Sequence, residues 1–155
     1  MAGSIEATLS QLGLALPPAA KPVANYVPYV ITGNLVFISG QITAGPNGFE
    51  YIGKIGEDFD VETGKKAARL CVLNVLAQLK AACDGDLDRV TRCVRLGGFI
   101  NAVPQFKDHA SIVNGASDLI ADVFGERGRH ARTSIGVASL PFGVAVEIEA
   151  LFEIR

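Results

Sequence analysis

Charge is scarce in this sequence, and neither sign dominates. Charged residues make up 19% of 155, with 14 Lys and Arg against 16 Asp and Glu, for a net charge of −2. With pI near 5.6, the chain offers no broad attraction to nucleic acid or to an anionic membrane, and neither is expected as a partner. No apolar run approaches the roughly 18 residues that a membrane-spanning helix requires. The opening MAGSIEATLSQLG lacks a basic segment followed by an apolar block, so a secretory signal is not expected and a cytoplasmic location is.

Cysteine is also sparse. Cys71, Cys83 and Cys93 are an odd number with no C-x-x-C pair, so they cannot close a disulfide framework and read as reduced core thiols. His109 and His130 lie near none of them in sequence, so no metal is expected; both histidines read most simply as surface or helix-end residues. H-E-x-x-H, G-x-S-x-G and G-x-G-x-x-G are all absent. Gly48 to Lys54 matches G-x-x-x-x-G-K, but Ile55 stands where a phosphate loop needs a hydroxyl for Mg²⁺. That segment reads as a hairpin loop, and no cofactor is expected.

What is abundant is apolar material. Hydrophobic residues form 49% of the chain, which suits a packed core and argues against disorder. Length, and the lack of repeats or linkers, point to one domain over 1–155. Residues 4–13 read as a short helix with Ser4 as cap and Gly13 as stop. Thr32-Gly33-Asn34 joins two β-branched runs as a tight hairpin turn. A second turn at 45–48 is followed by 49–52, read as continuing the meander. Over 61–83, Ala68, Val72, Leu76, Leu79 and Cys83 make one helical stripe. Residues 90–101 read as a strand, 105–124 as a second helix with Phe106, Ala110, Val113, Ile120 and Phe124 on one face, and 132–138 as a short strand. After a turn at 140–143, residues 144–154 alternate: Val144, Val146, Ile148, Phe152 and Ile154 on one side, Ala145, Glu147, Glu149, Leu151 and Glu153 on the other. This order predicts an α+β fold: a mixed sheet of four to six strands with two long helices packed on one face. The other sheet face is left open, and its mixture of Glu with Ala and Leu fits either a wet interface or a solvated surface.

Arg132 opens the short strand, in HARTSIGVASLPFG. With Ser134 and Gly136 it projects to one side, where a guanidinium beside a hydroxyl and an uncrowded glycine can clamp a carboxylate through a two-pronged hydrogen bond. On spacing alone, a surface arginine is the commoner outcome.

ARTSIGVASLPFGVAVEIEALFEI resembles the C-terminal signature of the RidA/YjgF family. Asn34 to Ile42 resembles that family's hairpin ending in Ser-Gly-Gln, Asn25-Tyr26-Val27 its Pro-Tyr segment, and Val113-Asn114 its helical Val-Asn. The resemblance covers residues 22–155. It implies a chorismate-mutase-like fold, a homotrimer with a cleft at each subunit interface, and hydrolysis of small reactive imines or enamines, such as 2-aminoacrylate, to 2-keto acids and ammonia. It further implies Arg132 as carboxylate anchor, Ser39 and Asn114 as substrate-binding residues, and Tyr26 and Glu147 as cleft residues, with Glu147 moving the proton; Ser134, beside Arg132 on the strand, is taken as a further substrate-binding residue. Ser134 stands where active members carry Cys, and Gly136 where they often carry Glu. Residues 1–20 form an extension, and the segment near 45–60 is longer. These departures resemble a branch labelled putative endoribonuclease, and they leave a ligand-binding regulatory trimer as the alternative to an enzyme. A ribonuclease fits least, since the chain has no basic patch and no acid/base histidine pair.

Overall fold

A computed structural model describes residues 3–155, so the first two residues of the N-terminal extension lie outside it. After a short helix α1 (Ser4–Gln11) come strands β1 (Tyr29–Thr32) and β2 (Leu35–Gln41), a two-stranded ribbon β3 (Ala44–Gly45) and β4 (Gly48–Phe49), and helix α2 (Val61–Ala82). Strand β5 (Val90–Asn101), helix α3 (His109–Phe124), β6 (Ala131–Val137) and β7 (Val146–Ile154) complete the chain. The main sheet has the order β1-β2-β7-β5-β6. Only β5 and β6 run parallel, and α3 is the crossover that a parallel pair requires. Among the described residues, no helix is long and apolar enough to cross a membrane.

Local chemistry accounts for these elements. Gly33 takes φ +58 at the first central position of the β1–β2 turn, which suits a primed hairpin turn. Asp60 caps α2 by accepting the Thr63 N–H at 2.8 Å. The whole predicted α2 stripe is buried. Helices α2 and α3 cross closely because two glycines remove side-chain bulk: a Cβ on Gly115 would run into the Lys65 carbonyl, and one on Gly64 into Ile112. In β7, Val146, Ile148, Phe152 and Ile154 are buried under the helices, while Glu147, Glu149, Leu151 and Glu153 are half-exposed on the open face. Each fully buried Leu, Ile or Phe of this core contributes about 1.5–3 kcal/mol. The three cysteines are free and buried.

Three expectations need correction. Helix α3 begins at His109, not 105. Pro104 disfavours helix in the residue before it, the Phe106 N–H turns back to Val103 O, and Asp108 takes the N-cap position. Phe106 therefore precedes the helix and Ala110 is exposed; Ile112, Ala116, Leu119 and Val123 fill the buried face with Val113, Ile120 and Phe124. Residues 49–52 do not extend the main sheet: β4 pairs only with β3, and Tyr51 turns the chain with φ +52. Beyond it Lys54 pins this segment, its Nζ donating to Asn101 Oδ1 and Ala138 O, both at 2.7 Å. The lysine of the phosphate-loop look-alike thus has a structural task. Finally, Ser4 does not cap α1. Gly3 is the N-cap, and the Ser4 N–H and hydroxyl both donate to Asp88.

Candidate functional site

Apart from Ser39, the expected site residues fall into two groups on opposite faces of the sheet. The first lies where α3 covers β6. Arg132 is paired in register with buried Leu96, and Ser134 with Gly98. A Cβ on Gly98 would meet Val113 of α3, so this side of β6 faces the helix. The Arg132 guanidinium donates from Nη1 to Ser117 Oγ at 3.0 Å and from Nη2 to the Ala110 carbonyl at 3.3 Å. These acceptors bracket Asn114 at i−4 and i+3, so Asn114 shares the helix face that Arg132 lies against. Among the described residues, no Asp or Glu lies within ion-pair distance of Arg132. The Ser134 Oγ is buried and has no hydrogen-bond partner among the described residues.

The position beside Ser134 is not open. A Cβ on Gly136 would overlap His109 Nε2, so the imidazole fills the space that glycine leaves. His109 begins α3 and packs edge-on against Phe106, with ring centroids 5.3 Å apart. His130, read from sequence as a surface or helix-end residue, is half-buried. Its Nδ1 meets the Gly128 carbonyl at 2.6 Å and its Nε2 the Ser117 hydroxyl at 2.8 Å. Burial pulls His130 below the ordinary imidazole range; the Gly128 carbonyl opposes this and the Arg132 charge adds to it.

The second group sits on the open face. Glu147 and Tyr26 line a cavity of about 340 Å³ together with Gly40, Gln41 and the stacked rings of Phe49 and Phe142. Gly40 belongs to the Ser-Gly-Gln bulge, where β2 carries one extra residue between the pairs Ile38–Ala150 and Gln41–Ile148. A Cβ on Gly40 would meet the Glu147 carboxylate, so the glycine leaves the room that this side chain occupies. Burial, and then the charge of Glu149, hold the Glu147 carboxyl above the usual glutamate value. Glu149 is paired with Arg95 at 3.1 Å; among the described residues, Glu147 has no such partner. Behind it Cys71 donates to the Val146 carbonyl at 3.3 Å. Its thiol is pushed up by burial and then by the charge of Glu147, so it is no nucleophile.

Ser39 stands apart from both groups. Its hydroxyl donates to the Val27 carbonyl at 2.8 Å, and its N–H to Pro28 O. It therefore anchors the loop that carries Tyr26, and it lines a separate groove with Arg95 and Glu149. One chain thus brings Arg132, Ser134 and Asn114 to one face and Tyr26 and Glu147 to the other. Ser117 and His130 escaped the sequence reading. Their one sequence signal was position: Ser117 lies one helical turn after Asn114, and His130 two residues before Arg132.

A family model described as YjgF/chorismate mutase-like, putative endoribonuclease matches residues 6–152. Protein TCP17 of Trypanosoma cruzi is 49% identical over 154 residues, spanning 99% of this chain and 96% of that protein. A solved structure of a putative endoribonuclease from Shewanella oneidensis superposes with a TM-score of 0.94 at 36% identity, covering 98% of this chain and 100% of that one. The structure of E. coli TdcF with bound serine superposes with a TM-score of 0.61 at 28% identity, over 88% of this chain and 93% of that one.

Proposed function

The chain belongs to the YjgF/chorismate mutase-like family, and from that premise we propose that it hydrolyses small carboxylate-bearing imines and enamines of the 2-aminoacrylate type to 2-keto acids and ammonia. One observation carries the reading: a half-buried arginine, hydrogen-bonded to α3 of its own chain but lacking a carboxylate counterion among the described residues, beside an unsatisfied serine hydroxyl. A cation held this way binds a carboxylate without first breaking an ion pair. The serine bound to E. coli TdcF, a small molecule with a carboxylate, supports the ligand class.

The chemistry asks little of the protein. An imine carbon is already electrophilic, so water attacks it without metal or covalent nucleophile. Arg132 fixes the substrate carboxylate, with Ser134 and Asn114 beside it. Glu147 takes a proton from the attacking water and gives it to the imine nitrogen, which makes a carbinolamine. It then takes the carbinolamine hydroxyl proton and gives it to the same nitrogen, which leaves as ammonia while the carbon becomes the ketone. A carboxyl held above its usual range is better matched to that exchange near neutral pH than an ordinary glutamate. Tyr26, on a loop held by Ser39, closes the cavity against bulk water.

Arg132 and Glu147 face opposite sides of the sheet, so in this reading one subunit supplies the arginine and its neighbour the glutamate, in a homotrimer with one cleft per interface. The filling of the Gly136 space by His109 favours a second reading, a carboxylate-binding trimer without turnover. The deciding assay is release of ammonia and pyruvate from enzymatically generated 2-aminoacrylate, with mass from light scattering. Turnover by a trimer is expected. Pyruvate binding without turnover on this or any small imine would establish the second reading, and a monomer at micromolar concentration would overturn the shared cleft.

A further inference from the structure

A carbonyl oxygen only accepts, so the 2.6 Å contact between His130 Nδ1 and the Gly128 carbonyl places the imidazole proton on Nδ1. In the neutral ring, the state that burial favours, Nε2 is then a bare acceptor. The Ser117 hydroxyl, 2.8 Å away, must turn its hydrogen toward it. That rotation leaves a serine lone pair facing Arg132 Nη1 at 3.0 Å. The backbone of residue 128 thus fixes the histidine tautomer, the histidine fixes the hydroxyl rotor, and the hydroxyl holds the guanidinium. The Ala110 carbonyl supplies the second hold from the preceding turn of α3.

We infer that Ser117 and His130 are positioning residues that lock the Arg132 guanidinium in the orientation that receives a carboxylate. The carboxylate itself rests on the reading proposed above; the ordering of the guanidinium does not. Neither residue touches the ligand. Both act by removing rotamer freedom from a long side chain that would otherwise have to be ordered when the ligand binds. His130 Nε2 is the critical atom, so the substitution H130Q, whose side-chain oxygen reaches that position as an acceptor, should preserve the lock. H130F, which fills the volume without an acceptor, should release it.

Two measurements on the full chain test this. The first is pyruvate affinity by calorimetry for wild type, S117A, H130F, H130Q and the double variant S117A/H130F. The second is the NMR order of the arginine side chains in ¹⁵N-arginine-labelled protein, with the Arg132 signal assigned by its loss in R132A. S117A and H130F should each weaken pyruvate binding about tenfold, as expected for loss of one hydrogen bond to a charged group, and each should mobilise the Arg132 guanidinium. H130Q should stay near wild type, and the double variant should lose no more than S117A alone, because the two residues form one chain. An Arg132 signal as ordered in S117A and H130F as in wild type would overturn the inference, as would losses that add in the double variant. If wild type binds no pyruvate yet Arg132 loses order in both single variants, the positioning role stands and the carboxylate reading falls.

Discussion

Arg132 and Glu147 lie on strands separated by β5 and on opposite faces of one sheet, and their surroundings differ as much as their positions. The arginine is satisfied by its own subunit: two acceptors on α3 hold its guanidinium, and a histidine holds one of those acceptors. The glutamate has no ion-pair partner among the described residues. It has been moved toward neutrality by burial and by a second glutamate, and it faces a cavity bordered by the exposed Tyr26 loop. Binding is best served by a group that is ordered before the ligand arrives. Proton transfer is best served by a group whose two protonation states lie close in energy. Under the hydrolysis proposed above, each of the two groups has the environment that its own task requires.

The contrast breaks most visibly if Glu147 can be neutralised without effect. Glu147→Gln keeps size and polarity but cannot take up and release a proton as a carboxylate does. It should lower kcat by about 10²–10⁴-fold, the usual worth of general acid–base catalysis, while pyruvate affinity moves little. Arg132→Ala should do the reverse on the other side. Pyruvate affinity should fall roughly 30- to 1,000-fold by calorimetry, the cost of losing a charge-assisted fork, with little change in melting temperature because the residue lies outside the core. The pH profile sharpens the difference further. Glu147 must be ionised to accept the proton of water, and its pKa lies above the ordinary glutamate value. The acid limb of kcat/KM should therefore lie above that value and disappear in Glu147→Gln. Smallest is Ser39→Ala. As an anchor of the Tyr26 loop, not a ligand to substrate, Ser39 should cost only about two- to tenfold in kcat/KM, while pyruvate binding at Arg132 stays at its wild-type strength.

Much of this frame was legible in the sequence because it rests on period and turn chemistry. The alternation in 144–154 placed the buried and open faces of β7, the stripe in 61–83 placed α2, and Gly33-Asn34 fixed the β1–β2 hairpin. Non-repeating segments were harder. Residues 49–60 bind the sheet ends through isolated bridges and the Lys54 ammonium, for which no periodic pattern exists. The start of α3 was placed too early because Phe106 and Ala110 fit a helical spacing that the turn after Pro104 interrupts. Within the site, Arg132 was singled out by its place at a strand start beside Ser134 and Gly136, but on spacing alone a surface arginine was the commoner outcome and the family resemblance raised the site reading. Glu147 was singled out only by family resemblance, since nothing in the alternation distinguishes it from Glu149 or Glu153. The Ser117–His130 link was invisible because it joins a helix face to a later loop through space.

The central claim is that one working site is built from two halves on different subunits, and subunit mixing tests it most directly. Arg132→Ala and Glu147→Gln chains, carrying different tags, are co-expressed and the mixed oligomers isolated. If each cleft takes its arginine from one subunit and its glutamate from the next, every mixed trimer keeps one of its three clefts with both residues intact. Turnover of 2-aminoacrylate should then recover to about a third of the wild-type rate, although each variant alone is nearly inactive. Mixed oligomers no more active than the average of the two single variants would show that the arginine and the glutamate do not serve one shared cleft.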